Sequence, residues 1–170
     1  MKKIYSLYLA GSVKLWKKEF KKRYSKFFNH KIKLFEPGKM NIPDDHRLII
    51  RRIAQKDRSE IEKSDAILVY MKNYKPSKFG GPVGTDSAWE CGYAHGIKKP
   101  TIAIVEDLDH LSYFGSQWML TFHINAYITD NKIVVEEILK TAHFRDTTII
   151  FCKSKELFEE KICEYLYKIN

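Results

Sequence analysis

Ala66-Ile-Leu-Val-Tyr70, then Gly84-Thr-Asp-Ser-Ala-Trp-Glu90-Cys-Gly-Tyr-Ala-His-Gly96, then Thr101-Ile-Ala-Ile-Val105: this stretch decides the fold. Two short apolar runs, rich in β-branched residues, flank a helix-like segment that opens on a glycine-bearing loop. In α/β proteins such a loop lies at the carboxyl ends of the strands, where ligands bind. The helix carries a carboxylate, Glu90, close to its start. Ala88, Cys91, Gly92 and Ala94 surround it with small side chains, which leaves room for a ligand beside an acid.

Outward from this unit, strand and helix patterns alternate. Ile4–Leu9 reads as the first strand and Lys14–Phe28 as a basic helix, with Trp16, Phe20, Tyr24 and Phe27 at helical spacing. Lys31–Phe35 is the second strand. Pro43-Asp44-Asp45 opens a long helix running to about Lys63. Asp65–Tyr70 is the third strand, and a Gly/Pro-rich loop follows. After Val105, Glu106–Gln117 reads as a loop and Trp118–Asn125 as a short helix. Lys132–Ala142 is a helix, Thr147–Cys152 a strand and Ser154–Ile169 the closing helix. This alternation predicts a flavodoxin-like, doubly wound parallel sheet of five strands with helices on both faces. A chain of 170 residues suits a single domain over 1–170.

Hydrophobic residues make up 44 % of the chain, a globular value, and no apolar run approaches the ~20 residues of a membrane span. The Met1–Gly11 segment is read as a strand rather than a signal peptide, because its apolar stretch is short and Lys14, Lys17 and Lys18 follow at once. The expectation is a cytoplasmic protein. Cys91, Cys152 and Cys163 are widely spaced and form no CxxC pair, so neither a disulfide framework nor a zinc site is indicated. The histidines form no HxxH or HExxH pair, so no metal is assigned. The net charge of +9 is concentrated between Lys14 and Lys33. It is read as a solvated helix face that attracts small anions, rather than as a nucleic-acid surface, since no RNP, zinc-finger or helix-turn-helix signature accompanies it.

Three places carry candidate chemistry. Asp57 falls on the stripe Ile50, Ile53/Ala54, Ile61 of the long helix, where a carboxylate is costly unless paired or functional. Glu90 reads two ways. Ser87-Ala-Trp-Glu90 fits a capping box, with Asp86 as another possible N-cap. If Ser87 is already helical, the box fails and Glu90 is a carboxylate near a helix N-terminus, suited to act as a nucleophile. The turn Ala10-Gly11-Ser12-Val13-Lys14 reads either as a simple tight turn or as an anion site built from backbone amides, the Ser12 hydroxyl and Lys14. It is neither a P-loop nor a GxGxxG turn.

Together these features resemble the nucleoside 2-deoxyribosyltransferase family over roughly residues 4–105. The resemblance rests on Tyr8-Leu-Ala-Gly11-Ser12 ending the first strand and on Asp57 upstream of Ser64-Asp65-Ala66-Ile67. It continues through Gly84-Thr85, Glu90-Cys-Gly-Tyr-Ala94 and Gly96-Ile-Lys-Lys-Pro100. It implies that Glu90 is the nucleophile at C1′ of a 2′-deoxynucleoside, with a covalent deoxyribosyl-enzyme passed on to a second base or to water. It implies that Asp57 assists proton transfer at the leaving base, and that no metal or cofactor is needed. The substrate would be held by Tyr8, Gly11, Ser12, Lys14, Gly84 and Thr85. The resemblance further implies a homo-oligomer with shared active sites, and Trp118 and Met119 resemble the region lent to a neighbouring subunit.

The chain departs from the family pattern in two ways. Asp86-Ser-Ala-Trp89 separates Gly84-Thr85 from the glutamate, a wider gap than the family usually shows. Where many transferases carry a sugar-binding aspartate stands Gly84, with Asp86 nearby as its substitute. The related nucleotide N-glycoside hydrolases carry a Gly-Ser-x-Arg-like turn that Gly11-Ser12-Val13-Lys14 resembles. A nucleoside 5′-monophosphate hydrolase and a non-catalytic nucleotide-binding module are therefore the alternatives.

Overall fold

The structure, a computed structural model, describes residues 3–11, 19–28, 30–35, 46–70, 85–116, 121–141, 144 and 147–169. Six parallel strands form one sheet in the order β2-β1-β3-β4-β5-β6. They are β1 (Tyr5–Ala10), β2 (Ile32–Phe35), β3 (Ala66–Val69), β4 (Thr101–Ile104), β5 (Ala126–Thr129) and β6 (Thr148–Phe151). The helices are α1 (Lys21–Arg23), α2 (His46–Lys63), α3 (Thr85–Gly96), α4 (Leu108–Ser116), α5 (Lys132–Lys140) and α6 (Phe158–Ile169). The winding reverses between β1 and β3: β2 lies on one side of β1, and all later strands lie on the other. That reversal creates a crevice at the carboxyl ends of β1 and β3.

Side chains alternate across the pleat, so each strand feeds two apolar layers. Leu7, Leu9, Leu68, Ile104 and Ile128 pack with Phe20, Tyr24, Phe158 and Ile162 on one face. Tyr8, Ala10, Ile67, Val69 and Ala103 pack with Ile61, Cys91, Ala94 and Val134 on the other. Every residue of β3, β4 and β5 is buried, as a parallel sheet covered on both faces requires. Ile149 of the edge strand β6 is only partly covered. A groove of about 290 Å³ lies there, lined by Thr148, Phe151, Lys161 and Lys168 among others, well away from the crevice.

Several elements differ from the sequence reading. The sheet has six strands rather than five. The added strand β5 is a four-residue run, Ala126-Tyr-Ile-Thr129, between two segments read as helices. The segment expected as a loop after β4 contains α4, whose apolar residues are interrupted by Asp109, His110, Ser112 and Gly115. Within the expected basic helix, the described part is π-helical at Glu19 and Phe20, α-helical over Lys21–Arg23, and tightens to a 3-10 turn at Ser25–Phe27. Even so, Phe20, Tyr24 and Phe28 are buried. α3 ends in a Schellman motif: the Lys99 N–H donates to Ala94 O and the Lys98 N–H to His95 O. The left-handed residue there is Lys98, with φ 60°, not a glycine.

Glu159, near the start of α6, is buried for a definite reason. Its Oε1 accepts the successive N–H groups of His30, Lys31 and Ile32 at 3.0, 2.7 and 2.9 Å. It thereby fastens α6 to the head of β2. All three cysteines are free; Cys91 and Cys152 are buried and Cys163 is partly exposed. Among the described residues no helix is long and apolar enough to cross a membrane.

Candidate active site

Tyr8 sits in β1, beside β3, and its pleat position turns it toward the face covered by α2 and α3. Its side chain is wholly buried. A buried phenol needs a hydrogen-bond partner, and Tyr8 Oη donates to Glu90 Oε1 at 2.6 Å. Glu90 is itself 7 % exposed. Asp57, on α2, acts on the same phenol through its charge. Burial, then Glu90, then Asp57 hold the Tyr8 phenol far above its usual value near 10. Two carboxylates and one permanently protonated phenol thus meet beneath the crevice, brought from α2, α3 and β1.

The helix boundary settles the two readings of Glu90. α3 begins at Thr85, so Ser87 is already helical and the capping box does not exist. Asp86 likewise lies inside the first turn rather than at the N-cap. Glu90 instead reaches across 82 positions of sequence to Tyr8. The stripe argument for Asp57 needs correction. Ala54 is exposed and Ile53 is 38 % exposed, while Ile61 is fully buried; among the side chains described from residue 51 on, α2 meets the apolar layer at Ile61, and Ile50 lies outside them. Asp57 is half-buried at that boundary, which is where a carboxylate can face both the interior and a ligand.

Gly92, two residues after the glutamate, marks a close approach. A Cβ there would stand 3.4 Å from His123 Nε2 and 3.7 Å from its Cδ2, so this edge of the imidazole closely approaches the helix. Burial beside α3, and then His95, lower the His123 pKa below its usual value of 6.5. Sequence reasoning missed this contact; the small residue inside the helix was its only trace. Burial, and secondarily Glu90, raise the Cys91 thiol well above its usual value, so it is an inert core thiol.

Gly11 follows β1 with φ 146°, a backbone conformation that side chains rarely adopt. Of the other residues expected at the site, Ser12, Lys14, Gly84, Trp118 and Met119 lie outside the described residues. Thr85 and Asp86 occupy the first turn of α3, where a carboxylate is favoured by the helix dipole. Among the described residues no group of three or more His, Cys, Asp or Glu is placed to hold a metal ion.

A sequence profile described as nucleoside 2-deoxyribosyltransferase matches residues 7–141. The chain belongs to that family, whose members are enzymes of the glycosyltransferase and hydrolase type. The match runs from β1 through α5 and includes Tyr8, Asp57 and Glu90. No curated protein matches the chain. Among solved structures it is similar to a conserved protein from Enterococcus faecalis V583, at 15 % identity and a TM-score of 0.45. That alignment covers 98 % of this chain and 99 % of the other.

Proposed function

We propose that the protein is a nucleoside 2-deoxyribosyltransferase that works through a covalent deoxyribosyl-glutamate. The observation that carries this reading is the buried Tyr8–Glu90 contact with Asp57 on the same phenol. A Glu90 oxygen attacks C1′ as the C1′–N bond breaks, and the bonding electrons leave with the base. The departing base takes a proton, supplied by Asp57. In the second half-reaction the nitrogen of another base attacks C1′, Asp57 accepts its proton, and Glu90 is released. The logic is that of a retaining glycosidase, in which one carboxylate stabilises and traps an oxocarbenium-like centre while another group handles the proton. Tyr8 orients the Glu90 carboxylate by donating to its Oε1.

Gly11 in its left-handed conformation and the net charge of +9 support a second reading, a nucleoside 5′-monophosphate hydrolase. In it the turn after β1 binds phosphate and water takes the sugar. Incubation with 2′-deoxyinosine and adenine, and separately with dCMP alone, separates the two. New deoxyadenosine establishes the transferase. Free base from the monophosphate without exchange establishes the hydrolase. Neither product would remove catalysis from the site and leave a binding role.

The chain is read as one domain that assembles into a homo-oligomer. Exposed Ile53, Trp89 and Phe122, the last at 74 %, support assembly, since they are large apolar groups left uncovered on the surface. Sedimentation at micromolar concentration tests it; a monomer would sink the shared-site idea.

A further inference from the structure

Helix α3 turns one buried stripe toward the sheet: Ser87, Glu90, Cys91 and Ala94. The stripe changes character along its length. Cys91 and Ala94 belong to the apolar layer with Ile67, Val69 and Ala103. Glu90 reaches Tyr8. Ser87, only 3 % exposed, lies one turn nearer the helix N-terminus, about 4.5 Å further along the axis. Crossover helices run antiparallel to the strands they join, so Ser87 is displaced from Glu90 toward the carboxyl edge of the sheet, the ligand side. On that face β1 ends in Ala10 and turns at Gly11, so no bulky side chain from β1 fills the space. Packing alone would be served by alanine, and a hydroxyl in a dry place is a cost unless something bonds it.

Stereochemistry names the partner. A nucleophile that displaces the base of a β-nucleoside approaches the opposite face of the sugar ring. On a 2′-deoxynucleoside the polar group on that face is the 3′-hydroxyl; the 5′-hydroxyl lies on the side of the base. A donor or acceptor on the nucleophile's own helix, one turn away, is therefore placed for O3′. Resting on the proposed nucleophilic role of Glu90, we infer that Ser87 is a sugar-binding residue whose hydroxyl hydrogen-bonds the 3′-hydroxyl of the substrate. It registers C1′ over Glu90 and makes the enzyme selective for sugars that carry O3′. The function belongs to a residue that the sequence pattern offered only as a helix cap.

The test is a cycle of two proteins and two sugars. Wild type and Ser87→Ala are each assayed on 2′-deoxyinosine and 2′,3′-dideoxyinosine, with exchange to adenine and release of free base both recorded. The expected result is a loss of about tenfold or more in kcat/KM for Ser87→Ala on deoxyinosine, the worth of a buried hydrogen bond, with less than about twofold on dideoxyinosine. Ser87→Thr keeps the hydroxyl and should keep the preference for O3′; it also serves if the alanine variant folds poorly. Equal losses on both sugars, or an unchanged preference, would overturn the assignment while leaving Glu90 as nucleophile. Absence of turnover of either sugar by the wild type would overturn the proposed function, and the Ser87 assignment with it.

Discussion

Glu90 and Glu106 each accept a hydrogen bond from a buried tyrosine, Tyr8 in one case and Tyr24 in the other, and both bonds are 2.6 Å long. Both carboxylates lie near the carboxyl ends of strands, on opposite faces of one sheet. Their remaining neighbours differ in sign. Around Glu106 stand the Arg23 guanidinium, with Nη1 at 3.0 and 3.2 Å from the two oxygens, and the Lys155 ammonium at 3.9 Å. Its main chain is held as well: its N–H donates to His110 Nδ1 and its carbonyl accepts from Asn131 Nδ2. Among the described residues, the other charged group that acts on the Tyr8 phenol beside Glu90 is an acid, Asp57. A carboxylate matched by cations has its desolvation offset and acts as a fastener, joining the N-terminal segment, β4 and the C-terminal turn. A carboxylate set beside another acid gains nothing for folding from that neighbour; such arrangements mark sites of proton transfer and nucleophilic attack. Under the proposed function, the same local geometry would serve opposite roles, and the surrounding charge is what distinguishes the two acids.

The largest expected effect breaks both regions at once. Tyr8, Tyr24, Tyr70 and Tyr127 are held above their usual value near 10, first by burial. Above pH 10 the unfolded chain therefore releases protons that the folded chain retains. Their contribution to stability is fully present below pH ~10 and falls above it, by about 1.4 kcal/mol per pH unit for each phenol. The urea midpoint should be flat between about pH 8 and 9.5 and collapse above ~10, with phenolate absorbance appearing only on unfolding. Gradual phenolate titration in the folded protein would show that these hydroxyls are not enclosed.

Glu90→Gln comes next. It should cut kcat by about a thousandfold or more and move Tm little, because an amide oxygen still accepts from Tyr8. Activity within tenfold of wild type would transfer the nucleophile's role elsewhere. Asp57→Asn should cost about a hundredfold in kcat, the usual worth of a positioned acid–base group. It should also spare substrates whose leaving base needs little protonation; an equal loss on all bases would make Asp57 a structural residue. Glu106→Gln is the mirror experiment. It should lower stability by about 1–2 kcal/mol by removing the buried charge that Arg23 and Lys155 face, with Glu19 remaining as the other partner of Arg23, while kcat/KM stays within a few-fold. A large selective loss of kcat would erase the distinction drawn between the two acids. The smallest effect belongs to the exposed rim, where Arg58 bonds Glu62 at 2.9 Å and lies over the Tyr93 ring. Arg58→Ala should leave Tm unchanged by calorimetry, as exposed ion pairs do.

Most of the fold was legible because burial on both faces writes strands as continuous apolar runs. Ala66–Val69 and Thr101–Ile104 read directly, and so did the alternation with α2 and α3. β5, a run of the same length and burial, went unread between two segments read as helices, Trp118–Asn125 and Lys132–Ala142, and α4 was not legible because polar residues break its helical face. Glu90 and Asp57 were legible as acids in the wrong company, one among small residues and one on an apolar stripe. The reason first given for Asp57 was inexact, because Ile53 and Ala54 of its stripe are exposed while Ile61 is buried. Glu106 was not legible at all. It followed a strand into what read as a loop, and its partners Arg23, Tyr24 and Lys155 are distant in sequence.

The sequence by itself determined that the sheet is parallel, that the site lies where α3 follows β3, and which acids deserved attention. These are consequences of local pattern, in which each residue's neighbours along the chain suffice. The tertiary structure alone decided that Glu90 is no helix cap, that Tyr8 joins it to Asp57, and that Glu106 is bound by cations. Each of those depends on the winding reversal between β1 and β3 and on the crossings of the helices. Those crossings bring into contact side chains that no spacing along the chain connects.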